Sequence, residues 1–129
     1  MNRDLRLIEG QHPLIHNITN YVAMNFVANS LLAIGASPIM ARAQEEVEEI
    51  SSKSNALALN LGILENATAY SMLQAGDAAS KSRIPIVLDV VGVGATRFRM
   101  DTASKSSFNA SQLLSREMPV KYYHYTLIK

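Results

Sequence analysis

At 129 residues the chain is long enough for one domain and too short for two of ordinary size. Hydrophobic residues make up 48% and charged residues 18%, so a packed core is within reach and a disordered tail is excluded. Twelve Lys plus Arg against 11 Asp plus Glu, a formal net charge of +1, give no electrostatic footprint for nucleic acid or an anionic membrane, and the lack of cysteine excludes a disulfide scaffold, a zinc-thiolate site, an iron–sulfur cluster and a cysteine nucleophile within this chain.

The opening MNRDLRLIEG is charged and has no long apolar run. It reads as no secretory signal, which makes the cytoplasm the default location. Leu5, Leu7 and Ile8 suit a short amphipathic helix over 3–9, with Gly10 placed to end it. Residues 12–16 read as extended chain, since Pro13 disfavours a helical residue before it. Thr19 or Asn20 then caps a helix whose apolar face is Val22, Phe26, Val27, Ser30, Leu31 and Ile34. Gly35 stands where a left-handed cap belongs, and residues 37–40 are short, apolar and extended. A short helix over 44–50 pairs Val47 and Ile50 with a solvated acidic face. Residues 56–61 form a continuous apolar run, a strand buried on both sides. A helix over 66–81 turns Tyr70, Leu73 and Met72 inward, and residues 84–88 make a second buried strand. Asp89 ends that strand and Gly92-Val93-Gly94 makes a turn. A weakly patterned helix through Phe108, Leu113 and Leu114 and a strand over 121–129 complete the chain.

Strand and helix thus alternate, with continuously apolar strands and short links. This predicts an α/β fold: a parallel sheet, helices on both faces and right-handed crossovers.

In such a sheet, ligands bind beyond the carboxyl ends of the strands. Asn20, the Asn60-Leu61-Gly62 segment and Asp89 with its glycines all fall there. A carboxylate at a strand end can hold Mg²⁺ or water near a phosphate, and Gly92 and Gly94 let backbone N–H groups approach an anion. The plainer reading makes Asp89 a turn cap and the glycines turn-formers. Met40 reads as core filler, Asn25 faces a ligand or solvent, and His12 and His16 read as satisfied structural histidines. No base accompanies the serines of 102–115, which argues against a nucleophilic serine. From the residues alone, the reading stops at an α/β domain for a small anionic or phosphorylated ligand.

Several longer segments are more specific. His12-Pro13-Leu14-Ile15-His16-Asn17-Ile18-Thr19-Asn20, the Ala28–Met40 stretch, Glu45-Glu46-Val47, Leu59-Asn60-Leu61-Gly62 and the run from Leu88 to Thr96 resemble the hydroxyethylthiazole kinase family over about residues 5–101. The resemblance implies a ribokinase-like layered fold, of which this chain holds the N-terminal portion. It implies phosphorylation of the hydroxyl of 4-methyl-5-(2-hydroxyethyl)thiazole with ATP and Mg²⁺ in thiamine salvage. It also implies a homotrimer with thiazole pockets at subunit interfaces. Met40, Asn20 and Gly62 match substrate-binding positions, and Asp89 matches the aspartate near the metal and the phosphates.

The chain departs from that pattern in places. Family members are about twice this length, and the Gly-Ala-Gly-Cys-type anion hole and the Arg-Gly-Asn segment have no counterpart here. Arg116 lies in the wrong local context to be an ATP-contacting arginine. Ile63 stands where threonine is common, and Val90 where proline is. Residues 1–101 therefore read as the N-terminal half of the kinase domain and 102–129 as a divergent end of the kind a frameshift produces. The expectation is a kinase by family, with this short chain inactive alone. The alternative is a catalytically dead thiazole-binding or structural fragment of the kinase trimer.

Overall fold

A computed structural model describes residues 3–106 and 113–115 of the chain. The elements run α1 (Arg3–Gln11), β1 (Leu14–Ile18), α2 (Tyr21–Ala33), β2 (Ser37–Ile39), α3 (Val47–Lys53), β3 (Ala56–Asn60), α4 (Asn66–Lys81), β4 (Ile86–Asp89), α5 (Arg97–Lys105) and β5 (Leu113–Ser115). The strands form one sheet in the order β2-β1-β3-β4-β5, and every pairing is parallel. This is the α/β parallel sheet that the alternation predicts.

Strand order and handedness decide which face each helix covers. The connection from β1 to β2 runs one way across the sheet, and those from β2 to β3, β3 to β4 and β4 to β5 run the other way. Right-handed crossovers therefore place α2 on one face and α3, α4 and α5 on the opposite one. The buried core agrees. Ile18, Leu57, Leu59, Ile86 and Leu88 of the strands pack with Val47 of α3, Met72, Ala75 and Ala79 of α4, and Ala103 of α5, while α2 contributes no member.

Local chemistry sets the ends of the elements. Asn20 caps α2 by accepting the Ala23 N–H at 3.0 Å. Gly35 has φ +88 and closes the same helix, with its own N–H on the Leu32 carbonyl and the Ala36 N–H on the Leu31 carbonyl. Thr96 caps α5 by accepting the Arg99 N–H.

Several expectations are corrected. Gly10 does not end α1, which runs on to Gln11 and closes at His12 with φ 47. Pro13 keeps His12 out of the right-handed helical region, so the break falls there. The third helix starts at Val47 rather than residue 44. The α2 face is two stripes: Ala23, Val27 and Leu31 are half-buried, whereas Val22 and Phe26 are 83% and 76% exposed. With apolar residues almost all round this helix, periodicity alone does not choose its inner side.

Tyr70 faces outward, because Met72, Ala75 and Ala79 form the inward stripe of α4 and Tyr70 stands two positions before Met72. Residues 56–61 and 84–88 are not buried on both sides. Leu57, Leu59, Ile86 and Leu88 are buried, but Ala56 and Ala58 are half-buried and Val87 is exposed. Three helices cover one face, and α2 packs on the edge strand β2 of the other. Leu113 and Leu114 lie in strand β5 rather than in a helix, and the helix of this region is α5, ending at Lys105. Phe108 and the strand expected over 121–129 lie outside the described residues.

Candidate functional site

The direction in which successive strands are added reverses between β1 and β3, which are parallel neighbours in the sheet. The loops after these two strands leave toward opposite faces, and a crevice opens between them at the carboxyl ends. Asn20 follows β1, Asn60 is the last residue of β3 and Gly62 follows it. The two sides of the crevice are therefore built from residues 40 apart in the chain.

A line of side-chain amides joins them. Asn20 Nδ2 donates to Asn60 Oδ1 at 3.4 Å, and Asn60 Nδ2 donates to Asp89 Oδ2 at 3.0 Å. Asn60 Oδ1 also accepts the Gly62 N–H at 2.8 Å. Asn20 is thereby doubly used, capping α2 with its oxygen and reaching the crevice with its nitrogen. Of the four residues expected at the site, Asn20, Gly62 and Asp89 come together through Asn60. Met40 follows β2 directly, one residue past the His16↔Ile39 register pair, and is half-buried on the edge-strand side. Among the described residues, no side-chain hydrogen bond ties it to the other three.

Gly62 is where a side chain does not fit. A Cβ built on it meets Asn20 Nδ2 and Asn60 Oδ1 at 2.8 Å each and Val91 Cγ1 at 3.3 Å. Gly92 and Gly94 have φ +74 and +95 and form the turn after β4, with the Val93 N–H on the Val90 carbonyl and the Ala95 N–H on the Gly92 carbonyl.

Arg99, on the first turn of α5, carries no role in the sequence reading. Its guanidinium donates to the carbonyls of Leu61, of Gly62 at 2.7 Å and of Val91 at 3.4 Å. Among the described residues it has no carboxylate partner. Sequence reasoning has little access to it, since its acceptors are backbone atoms, two of them 37 and 38 residues away. The Thr19 hydroxyl, one residue before Asn20, is buried without a hydrogen-bond partner among the described residues.

Other candidates take the plainer reading. His16 is fully buried: its Nε2–H donates to the Ala41 carbonyl at 2.7 Å, and its Nδ1 accepts from the Ser51 hydroxyl at 2.8 Å. Burial holds its pKa below the usual histidine value, against the Ala41 hydrogen bond and the Glu46 charge, which both raise it. His12 is tied to the Gly35 carbonyl at 2.8 Å. Asn25 is exposed and accepts from Asn29. Glu45, Glu48 and Glu49 line an open groove of about 850 Å³ with Tyr70 and Asp77, on the helical side of the molecule.

The site admits a magnesium ion on limited terms. The described residues hold no group of three or more His, Cys, Asp or Glu side chains placed to bind a metal. Magnesium, however, is commonly held by one or two carboxylates, with phosphate oxygens and water completing its shell. Asp89 at the end of β4 has one oxygen engaged by Asn60. The other accepts no hydrogen bond among the described residues, so this single carboxylate fits an ion whose remaining ligands come from outside the protein.

No helix among the described residues is long and apolar enough to cross a membrane. Residues 5–112 match the model of the hydroxyethylthiazole kinase family. The chain is similar to the hydroxyethylthiazole kinase of Caldivirga maquilingensis, 52% identical over 103 residues, which are 80% of this chain and 39% of that protein. It is similar to the hydroxyethylthiazole kinase of an Exiguobacterium species, 58% identical over 98 residues, 76% of this chain and 37% of that one. Its fold superposes on the solved hydroxyethylthiazole kinase of Pyrococcus horikoshii with a TM-score of 0.78 and 42% identity, covering 87% of this chain and 44% of that one. The chain therefore spans about two fifths of the length of the curated relatives it matches.

Proposed function

The chain belongs to the hydroxyethylthiazole kinase family, and on that premise we propose that its residues form the thiazole-binding part of an enzyme that phosphorylates the hydroxyl of 4-methyl-5-(2-hydroxyethyl)thiazole with ATP. The observation that carries the reading is the convergence of Asn20, Asn60, Gly62 and Asp89 at the crevice between β1 and β3. Gly62 lets the Asn20 and Asn60 amides pack against its backbone, since a side chain there would meet both at 2.8 Å, and Met40 supplies an adaptable apolar wall on the other side. Asp89 stands on the phosphate side, where it would hold the Mg²⁺ carried by ATP. That ion neutralises charge on the phosphoryl group in transfer.

We place the protein in the cytoplasm, acting in thiamine biosynthesis as a homotrimer whose interfaces complete the thiazole pockets. Residues 1–101 are its kinase-like half, and 102–129 diverge. The 129 residues alone bind the thiazole but do not turn it over. Phosphoryl transfer depends on positioned donors around the transferring group, and no Gly-Ala-Gly-Cys turn occurs among these residues.

The test is to incubate the purified chain with ATP, Mg²⁺ and the thiazole while following binding by calorimetry and product by mass spectrometry. Saturable binding without phosphorylated product is expected. Turnover comparable to that of the longer relatives overturns the inactive reading, and absence of binding overturns the thiazole reading.

A further inference from the structure

Two loops form the two halves of the site. The loop after β3 carries Gly62, against which the ring is proposed to lie, and Asp89 ends β4 with the Gly92 turn in the loop after it. The strands end in register, with Asn60 opposite Asp89 and the Leu61 N–H on the Asp89 carbonyl at 3.0 Å. Beyond that bond the sheet no longer fixes one loop against the other. Arg99 enters there. One of its nitrogens takes the Leu61 carbonyl of the first loop and the Val91 carbonyl of the second, and another takes Gly62 of the first. The guanidinium fork is planar and presents its donors at fixed angles from separate nitrogens, whereas an ammonium donates from a single atom.

Gly92 matches this arrangement. A Cβ there would meet Arg99 Nη1 at 3.4 Å and its Cδ and Cζ at 3.6 Å, on a backbone with φ +74. The turn therefore rides directly on the arginine side chain. The base of Arg99 is itself fixed, since its N–H is held by the capping hydroxyl of Thr96.

We propose that Arg99 is the positioning residue of this site: its guanidinium sets the Gly62 loop against the Asp89–Gly94 turn and so fixes the thiazole side of the pocket relative to its phosphate side. The proposal rests on the reading of the site as a thiazole pocket. Arg99 touches no substrate in this account. It acts through the three carbonyls. Misplacement of a binding group by a fraction of an ångström is enough to weaken a preorganised site.

The experiment compares the full 129-residue chain with Arg99→Ala and Arg99→Lys. Amide exchange is read at Leu61, Gly62, Gly92 and Val93, and thiazole affinity is read by calorimetry, each with and without millimolar guanidinium. Both loops should exchange about tenfold faster in Arg99→Ala while the β3 amides keep their protection, and thiazole affinity should fall about tenfold. Added guanidinium should restore both, and sodium chloride at the same ionic strength should restore neither. Arg99→Lys should resemble Arg99→Ala, because it keeps the charge and loses the fork. Faster exchange in only one loop, no rescue by guanidinium, unchanged affinity in Arg99→Ala, or loss of the whole fold in both variants overturns the proposal. Should the wild-type chain bind no thiazole, the functional reading fails, and the exchange and rescue measurements decide the role of Arg99 by themselves.

Discussion

Asn60 donates its side-chain amide to the Asp89 carboxylate at 3.0 Å while its carbonyl oxygen takes the Gly62 N–H at 2.8 Å. One side chain thus orients the carboxylate of β4 and shapes the loop of β3. Asn60→Asp keeps the acceptor and reverses the donor, leaving two carboxylates about 3 Å apart. Like charges at that separation raise one of the two pKa values in the folded state. A carboxyl with a raised folded pKa binds more protons folded than unfolded, so stability falls as pH rises through the ordinary carboxylate range. The variant is expected to be about 1–3 kcal/mol less stable at pH 7 and to recover toward wild type in acid. Urea unfolding at several pH values checks this, and a pH-independent difference would remove the like-charge explanation.

Gly62→Ala is expected to force the Asn20 and Asn60 amides apart, because the added carbon meets both at 2.8 Å. Both are far ends of side chains, but both are engaged, one in capping α2 and one on Asp89. The cost is expected at about 1–2 kcal/mol, from overpacking and weakened hydrogen bonds. A thermal midpoint equal to wild type would show that the amides yield freely.

How far the sequence speaks depends on the range of the interaction. Asn20 as a cap and Gly35 as a left-handed closer are legible because each acts on residues within a few positions of itself. The strands of 56–61 and 84–88 are legible from their apolar runs. The outward turn of Tyr70 and the bare stripe of Val22 and Phe26 are not, since they depend on which surface packs against the helix. Asn60 lies inside a segment that the reading selected, yet its link to Asp89 crosses 29 residues. Arg99 leaves no trace in a motif, because it addresses backbone.

His16 gives the fold a defined acid limit. Burial lowers its folded pKa below the unfolded value of 6.5, so the unfolded chain binds the extra proton. The contribution to stability is full above pH 6.5 and is lost as pH falls from there toward the folded pKa. The slope in that window reaches at most about 1.4 kcal/mol per pH unit from this residue. His16→Gln should remove the slope and cost about 1–3 kcal/mol at neutral pH, since the Ser51 hydroxyl and Ala41 carbonyl lose a matched partner. Chemical denaturation between pH 5 and pH 8 decides it, the wild-type slope surviving in His16→Gln being the contrary result.

On the proposed reading, Met40 belongs to the thiazole pocket and Asp89 to the phosphate chemistry. In an enzyme restored with the remaining family segments, Met40→Ala is expected mainly to raise KM for the thiazole, by loss of an apolar wall worth about 1–2 kcal/mol. Asp89→Ala is expected mainly to lower kcat, by about a hundredfold or more, through lost support for the metal and phosphates. Steady-state kinetics checks both, and an unchanged kcat in Asp89→Ala would return Asp89 to the role of a turn residue.

Calorimetric titration of 4-methyl-5-(2-hydroxyethyl)thiazole into the chain and its Gly62→Ala variant distinguishes a thiazole pocket between β1 and β3 from a purely structural crevice. Saturable binding of one thiazole per chain is expected, weakened about tenfold in Gly62→Ala with the fold retained. No saturable heat in the wild type, or equal affinity in the two chains, would contradict the thiazole pocket.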